Sequence, residues 1–142
     1  MITREVDYAM RAVLYLSTQD SRRLVATSEL AQEMVVPYRF LRRIVQKLVD
    51  GGLVEAQRGK GGGVRLARSC RDITLFDVLH AVDPKALYLN ACLNGVGTCV
   101  RTPFCTLRQH LDDLQERLGY ELRSITFEVL QSSPARATVT SV

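Results

Sequence analysis

The segment from residue 27 to residue 67 constrains the fold of this 142-residue chain more than any other segment. Apolar side chains recur at helical spacing over residues 28–34 and again over residues 38–50, which predicts two consecutive helices. Pro37 suits the first turn of the second helix, because the amide hydrogen that proline lacks would be unpaired there. Gly51 follows the last apolar residue of the pattern, and glycine is typical of helix ends.

Two short apolar segments, residues 53–56 and 64–67, follow the second helix and predict a pair of strands. The turn between them is rich in glycine, which adopts a positive φ at low cost. Two helices joined by a short turn and followed by a hairpin indicate the winged form of the helix-turn-helix. The four glycines of the turn occupy five consecutive positions and are Gly59, Gly61, Gly62 and Gly63.

Helical periodicity also occurs outside this segment. It predicts a first helix at residues 7–16 and a short helix at 73–82, and residues 125–130 either continue the helix before them or form a last helix after Ser124. Thr3 is the expected N-cap of the first helix, and Thr27 or Ser28 that of the next. A longer helix is predicted from leucines that recur every three or four residues, namely Leu107, Leu111, Leu114, Leu118 and Leu122.

The predicted fold class is mainly α with a small β-hairpin wing, a winged helix-turn-helix domain followed by a long C-terminal helix. The loop before that helix has no clear periodicity, and the small polar residues after Ser132 predict a disordered tail. The expected units are residues 1–82 (the winged domain), 83–106 (the loop), 107–131 (the C-terminal helices) and 132–142 (the tail).

The charge of the chain is concentrated in its N-terminal half. Residues 1–69 contain twelve Lys and Arg against seven Asp and Glu, whereas residues 70–142 contain seven against eight. A basic segment beside a nearly neutral one favours a polyanionic partner such as nucleic acid. A basic surface that is only solvated is the alternative.

The second helix of the helix-turn-helix divides into two faces. Its apolar face is expected to contain Phe40, Leu41, Ile44, Val45 and Leu48, and its other face is basic. Guanidinium and ammonium groups on such a face reach guanine edges and phosphates in the DNA major groove. The predicted DNA contacts are Ser28, Pro37, Tyr38, Arg39, Arg42, Arg43 and Lys47 on the helices, and Arg58, Gly59, Lys60 and Gly61 on the wing.

Three of the four cysteines, Cys92, Cys99 and Cys105, lie in the loop with the spacing C-x6-C-x5-C. Thiolates bind iron–sulfur clusters, zinc and copper(I). The spacing lacks the close cysteine pairs of structural zinc sites, and a flexible loop is able to surround a larger cluster. A disulfide-forming pair and inert buried thiols remain alternatives. Cys70 is isolated and is expected to be a small buried residue.

Several functional classes are disfavoured. No run of about 18 apolar residues predicts a membrane span, and charges near the N-terminus argue against a secretory signal, so we expect a cytoplasmic protein. No serine–histidine–aspartate set or H-E-x-x-H motif indicates an enzyme or a small-molecule substrate, and His80 and His110 lack evident partners. The glycine-rich segment around Lys60 does not match the nucleotide-binding phosphate loop, because no serine or threonine follows the lysine. A redox carrier would not need the basic wing.

These residues resemble the Rrf2 family of winged-helix repressors, which includes IscR-like and NsrR-like regulators. The resemblance extends over residues 1 to about 130. It is carried by the cysteine triplet together with Asp7-Tyr8-Ala9-Met10-Arg11, Phe40-Leu41-Arg42-Arg43-Ile44-Val45-Gln46-Lys47-Leu48, Gly52-Leu53-Val54, Arg58-Gly59-Lys60-Gly61-Gly62-Gly63-Val64-Arg65-Leu66-Ala67 and Ile73-Thr74-Leu75.

The resemblance implies a homodimer paired through the leucines of the long helix, on a near-palindromic double-stranded DNA operator. It implies a [2Fe-2S] or [4Fe-4S] cluster on Cys92, Cys99 and Cys105, and a DNA affinity that changes with the cluster. The signal would be nitric oxide, oxygen, redox state or iron–sulfur status. Some members of the family have no cluster, so a thiol–disulfide switch among the same cysteines is the alternative.

The fourth cluster ligand departs from one family pattern and matches another. The IscR-like pattern has a histidine three residues after the last cysteine, where this chain has Arg108, and His110 lies two residues later. The NsrR-like pattern has an aspartate in the first helix, which Asp7 matches, with the possibility that it reaches across from the second subunit. Alternatively, Asp7 only stabilises the N-terminus of its helix.

Overall fold

The computed structural model of the chain describes residues 2–95 and 99–134. It confirms the predicted fold class, with a mostly helical chain and one two-stranded antiparallel hairpin. Residues 135–142, most of the predicted disordered tail, lie outside the described residues. The helices and strands are α1 (Arg4–Ser17), α2 (Thr27–Met34), α3 (Tyr38–Asp50), β1 (Val54–Gln57), β2 (Gly63–Leu66), α4 (Leu75–Val82), α5 (Thr106–Ser124) and α6 (Phe127–Ser132).

The N-termini of α1 and α2 are held in different ways. The hydroxyl of Thr3 accepts a hydrogen bond from the Val6 amide at 3.3 Å, as predicted. The predicted cap of α2 at Thr27 or Ser28 is wrong, because the N-cap is Ala26 and no side chain caps the helix. The preceding residue, Val25, exchanges two backbone hydrogen bonds of 2.8 Å with Val64. Pairing with the wing therefore fixes the chain before α2.

The turn between α2 and α3 is short and closely packed. Val35 has a left-handed backbone, with φ 55° and ψ 48°, which is unusual for a β-branched residue. The amide of Val36 donates to the carbonyl of Ala31 at 2.9 Å, and its side chain is buried. Pro37 then precedes α3, and its carbonyl accepts from the amide of Leu41. This turn fixes the angle between the two helices of the motif.

The core lies between α1, α2, α3, α4 and the base of the wing. Leu41, Ile44, Val45 and Leu48 form the buried face of α3, as predicted. The placement of Phe40 on that face is wrong, because its side chain is 45% exposed. Phe40 lies at the edge of the apolar stripe, where the guanidinium of Arg39 is 5.8 Å from its ring centroid.

The wing is an antiparallel pair that extends from Val54↔Leu66 to Gln57↔Gly63. Its tip requires glycine at Gly59 (φ 95°) and Gly61 (φ 77°). Where β2 begins, directly after the tip, a Cβ atom on Gly63 would lie 2.4 Å from the carbonyl oxygen of Val25, so only glycine permits this close approach.

The C-terminal helices return to the winged domain. Thr74 and Asp77 form a capping box at the start of α4. Backbone hydrogen bonds of 3.0 Å join Leu75 to Ile125 and Phe127 to Ile73, and Phe127 is fully buried. Leu122 is also in this core, 7% exposed, which corrects the expectation that it pairs with a second subunit. Among residues 2–95 and 99–134, no helix has both the length and the apolarity to cross a bilayer.

Candidate nucleic-acid interface and cysteine cavity

A groove of about 740 Å³ separates the start of α2 and the outer face of α3 from the wing. Ser28 and Tyr38 lie on the helical side, and Arg58 and Gly59 lie on the wing side. Arg42, on α3, also lines the groove. The structure therefore brings five of the predicted DNA-contact residues around one concave surface.

Two cations of the groove and one of the wing tip differ in their pairing from Arg23 and Arg65. Arg23 and Arg65 pair with Glu29 at 2.7 Å and Glu55 at 3.1 Å, respectively. Within the described part of the chain, the side chains of Arg42, Arg58 and Lys60 form no ion pair. Their charges are available to an anionic ligand.

Arg43 lies on a different side of α3. It lines a cavity of about 280 Å³ between α1 and α3, together with Pro37, Phe40, Arg4 and Tyr8. Consecutive residues of a helix point about 100° apart, so Arg42 and Arg43 cannot share one face. The structure thus separates Arg43 and Pro37 from the wing groove.

Lys47 has two partners within the chain that the sequence did not predict. Its ammonium lies 2.8 Å from a carboxylate oxygen of Glu5 in α1. It also donates a hydrogen bond of 3.0 Å to the backbone carbonyl of Val82, the last residue of α4. Both partners are distant in sequence, so no local pattern reveals them.

A polar cluster connects α1, the loop after it and α2. Arg23 donates to both carboxylate oxygens of Glu29, at 2.7 and 2.8 Å, and the Tyr15 hydroxyl donates to the same carboxylate at 3.1 Å. The hydrogen bond from Arg23 lowers the pKa of Glu29. Desolvation and the bond to Glu29 raise the pKa of Tyr15. The cluster is therefore most stable with Glu29 ionised and Tyr15 neutral.

Cys92, Cys99 and Cys105 line one cavity of about 380 Å³ at the start of α5. All three are free thiols. Cys105 is the N-cap of α5, and its sulfur accepts a hydrogen bond from the amide of Arg108 at 3.4 Å. The side chain of Arg108 donates to the carbonyl of Cys92 at 3.4 Å, so it joins the two sides of the cavity. Cys70 is half-buried and is not part of this lining.

The cysteine cavity fits a thiolate-bound cluster in its chemistry, since three soft donors share one largely apolar space. No three His, Cys, Asp or Glu side chains of the described residues are placed to hold a single metal ion. Asp7 is not in the lining, and its carboxylate pairs with Arg11 at 2.7 Å.

Large apolar side chains are exposed along the loop and α5. They continue from the rim of the cysteine cavity along one side of the helix, and they have no partner within the described residues that covers them. They are Val100 (91% exposed), Phe104 (90%), Leu107 (63%), Leu114 (49%) and Leu118 (41%).

Comparison with known proteins identifies the family. The family model described as Rrf2, iron-dependent transcriptional regulator, matches residues 2–133. The chain belongs to the Rrf2 family. It is 31% identical, over 108 residues, to the HTH-type transcriptional regulator NsrR of Shouchella clausii, which covers 75% of this chain and 72% of that protein.

Solved structures show the same fold. CymR, the global cysteine regulator of B. subtilis, has a TM-score of 0.76 at 19% identity, over 95% of this chain and 98% of that chain. T. potens IscR has a TM-score of 0.72 at 20% identity, over 96% and 93%. The oxidized form of Staphylococcus aureus CymR has a TM-score of 0.74 at 16% identity, over 96% and 99%. This Rrf2 chain is therefore a winged-helix transcriptional regulator and not an enzyme, as predicted.

Proposed function

We propose that the chain acts as a homodimer that binds a near-palindromic operator and represses transcription, with an affinity set by the state of Cys92, Cys99 and Cys105. The observation that carries this proposal is the single cavity that these three thiols share. That cavity lies at the start of α5, in the connection between the winged domain and the exposed leucines. A change of ligands there alters how the winged domains of a dimer are held relative to each other.

DNA recognition rests on the wing groove. In a dimer, two copies of α3 enter successive major grooves about 34 Å apart. Arg42 and Tyr38 approach base edges, since they lie in the groove on the outer side of α3. Arg58 and Lys60 approach the sugar–phosphate backbone from the glycine-rich tip. Arg39 and Arg43 remain further candidates for contacts beside the groove.

An iron–sulfur cluster is the first candidate for the regulatory group. Cys92, Cys99 and Cys105 would hold it as thiolates, with Asp7 of a second copy as the fourth ligand, and the family's description as iron-dependent supports this assignment. A [2Fe-2S] or [4Fe-4S] cluster supplies iron that responds to oxygen, nitric oxide, redox state or iron–sulfur status. The chain itself supplies the apolar cavity and the Arg108 bridge that orders its rim.

A thiol–disulfide switch is the second candidate, because the same cavity holds three free thiols. Two of them would form a disulfide by giving two electrons and two protons to hydrogen peroxide, which is reduced to two molecules of water. The oxidized form of CymR, a protein of similar fold, has been solved, and this supports redox control as a candidate here. Either candidate operates in a reducing cytoplasm, where thiols persist.

The experiment that tests the proposal is anaerobic purification followed by iron and sulfide analysis and visible spectroscopy. The parent and the control Cys70→Ser should contain iron and sulfide, whereas the triple Cys92→Ser, Cys99→Ser, Cys105→Ser variant should contain neither. A colourless parent that forms one disulfide with peroxide, and changes its DNA affinity on doing so, would establish the second candidate. A parent with neither property would overturn cysteine control altogether.

A further inference from the structure

Lys47 joins the DNA-reading helix to two other elements at once. Its ammonium bridges Glu5 of α1, at 2.8 Å, and the carbonyl of Val82 at the end of α4, at 3.0 Å. Residues Asp83 onward form the loop that carries the cysteines. Lys47 therefore lies at the junction of α3 with the start of that loop.

We propose that Lys47 is a positioning residue that couples the orientation of α3 to the state of the cysteine loop, and that it does not contact DNA phosphate. This inference rests on the proposed cysteine control of DNA binding. It replaces the sequence-based prediction that Lys47 neutralises a phosphate.

The ammonium of Lys47 is already neutralised within the chain. The Glu5 carboxylate balances its charge, and the Val82 carbonyl belongs to the negative end of α4, where a cation is favoured. Moving the ammonium to a phosphate would break the ion pair and leave a helix-terminal carbonyl without its donor. The free arginine of the same helix, Arg42, has no such cost.

A second observation shows that the end of α3 packs closely against the last turn of α4. Gly51, directly after α3, lies so close to α4 that a Cβ atom there would be 2.7 Å from the Cβ of Ala81. The close approach and the Lys47 bond involve adjacent residues of α4, Ala81 and Val82. Displacement of the last turn of α4 therefore displaces the C-terminal end of α3.

Hydrogen bonds order the loop between Val82 and the cysteine cavity. Asp83 accepts a hydrogen bond from the Lys85 amide at 3.2 Å, which orders the turn Pro84–Leu87. The Leu89 amide then donates to the side chain of Gln115 in α5 at 3.0 Å. Three residues later, Cys92 lines the cavity. These contacts connect the cavity physically to the carbonyl that Lys47 holds.

The test measures two quantities for each variant on a duplex selected from a random-sequence pool. The first is the slope of log Kd against log salt concentration, which counts phosphate contacts. The second is the coupling ratio, defined as Kd in the triple cysteine-to-serine background divided by Kd in the parent background under the same anaerobic conditions. Lys47→Met removes the charge with little change of volume, and Arg42→Met is the matched control on the same helix.

We expect Lys47→Met to leave the salt slope unchanged and to bring the coupling ratio closer to one by about threefold or more. Arg42→Met should reduce the slope by about 1 and leave the coupling ratio unchanged. Glu5→Gln serves as the second variant if Lys47→Met folds poorly. It weakens the bridge and removes no cation, so we expect an unchanged salt slope and a coupling ratio closer to one. Lys47→Arg should restore part of the coupling.

Three results would overturn the proposal. A slope reduced by about 1 in Lys47→Met would make it a phosphate contact. An unchanged coupling ratio in both Lys47→Met and Glu5→Gln would make the bridge purely structural. A parent coupling ratio of one would instead remove the proposed cysteine control, and with it the role of Lys47.

Discussion

At the scale of single side chains, ion pairing within the chain separates the cations into two groups. Lys47 is engaged by Glu5, whereas Arg42 and Arg58 face the wing groove unpaired. The sequence predicted that α3 and the wing are basic, because that depends only on composition and helical period. It could not predict which cation is neutralised, since Glu5, the ion-pair partner of Lys47, lies in a different helix.

The role of the wing is tested by Arg58→Ala. We expect weaker binding to any duplex and a salt slope reduced by about 1, because one phosphate contact is lost. Arg71→Ala is the matched control, since it removes the same charge at a residue that pairs with Glu128 outside the groove. Equal slopes for the two variants in fluorescence anisotropy titrations would refute the assignment of the wing.

The Tyr15–Arg23–Glu29 cluster predicts a pH dependence of stability. The pKa of Glu29 is lowered from 4.5 in the folded chain, so its contribution is present above about that pH and is lost as the pH falls through the lowered value. Glu29→Gln should therefore lower the melting temperature at pH 7 and have a diminishing effect towards pH 3. Glu33→Gln, on the same helix, is the control. A pH-independent difference between Glu29→Gln and the parent would disprove the account.

At the scale of elements, local patterns predicted α3 and the hairpin closely, because capping residues, helical period and glycines are all local signals. The cap of α2 was predicted wrongly, since the chain before this helix is held by the pairing of Val25 with Val64 and not by a side chain. The loop before α5 forms short 3-10 turns, which have no periodicity to detect; one of them is Thr102–Phe104.

The contact between α3 and α4 is tested by Gly51→Ala. The added methyl group would overlap Ala81, and overpacking of this kind costs about 1–3 kcal/mol. Gly51 has φ −79°, so the backbone itself tolerates alanine. Ala81→Gly in the same chain should recover part of the loss. Urea unfolding measures both variants, and a Gly51→Ala chain as stable as the parent would contradict the close approach.

At the scale of the whole molecule, the exposed leucines of α5 support the proposed dimer. The sequence predicted this helix and its leucine repeat, and Leu114 and Leu118 are exposed as a dimer contact requires. It could not predict that Leu122 lies in the core of the winged domain, because its repeat position is the same as that of the exposed leucines. It also grouped the three cysteines correctly, since they are close in sequence.

Dimerisation is tested by Leu114→Glu with Leu118→Glu. Charges buried in an apolar interface are strongly unfavourable, so the variant should be monomeric at micromolar concentration. Tyr120→Glu is the control, because Tyr120 is 72% exposed and lies about 200° around the helix from Leu118. Sedimentation velocity distinguishes the two states. A monomeric parent would remove the dimer from the account.

The central claim is that the state of Cys92, Cys99 and Cys105 sets the affinity for DNA, and one titration tests it most directly. The affinity for a selected duplex is measured at one salt concentration for anaerobically prepared protein and for the same preparation after removal of iron, or after oxidation if it holds none. The account predicts at least a fivefold difference, the lower end of ordinary allosteric coupling. Equal affinities in the two states would contradict it.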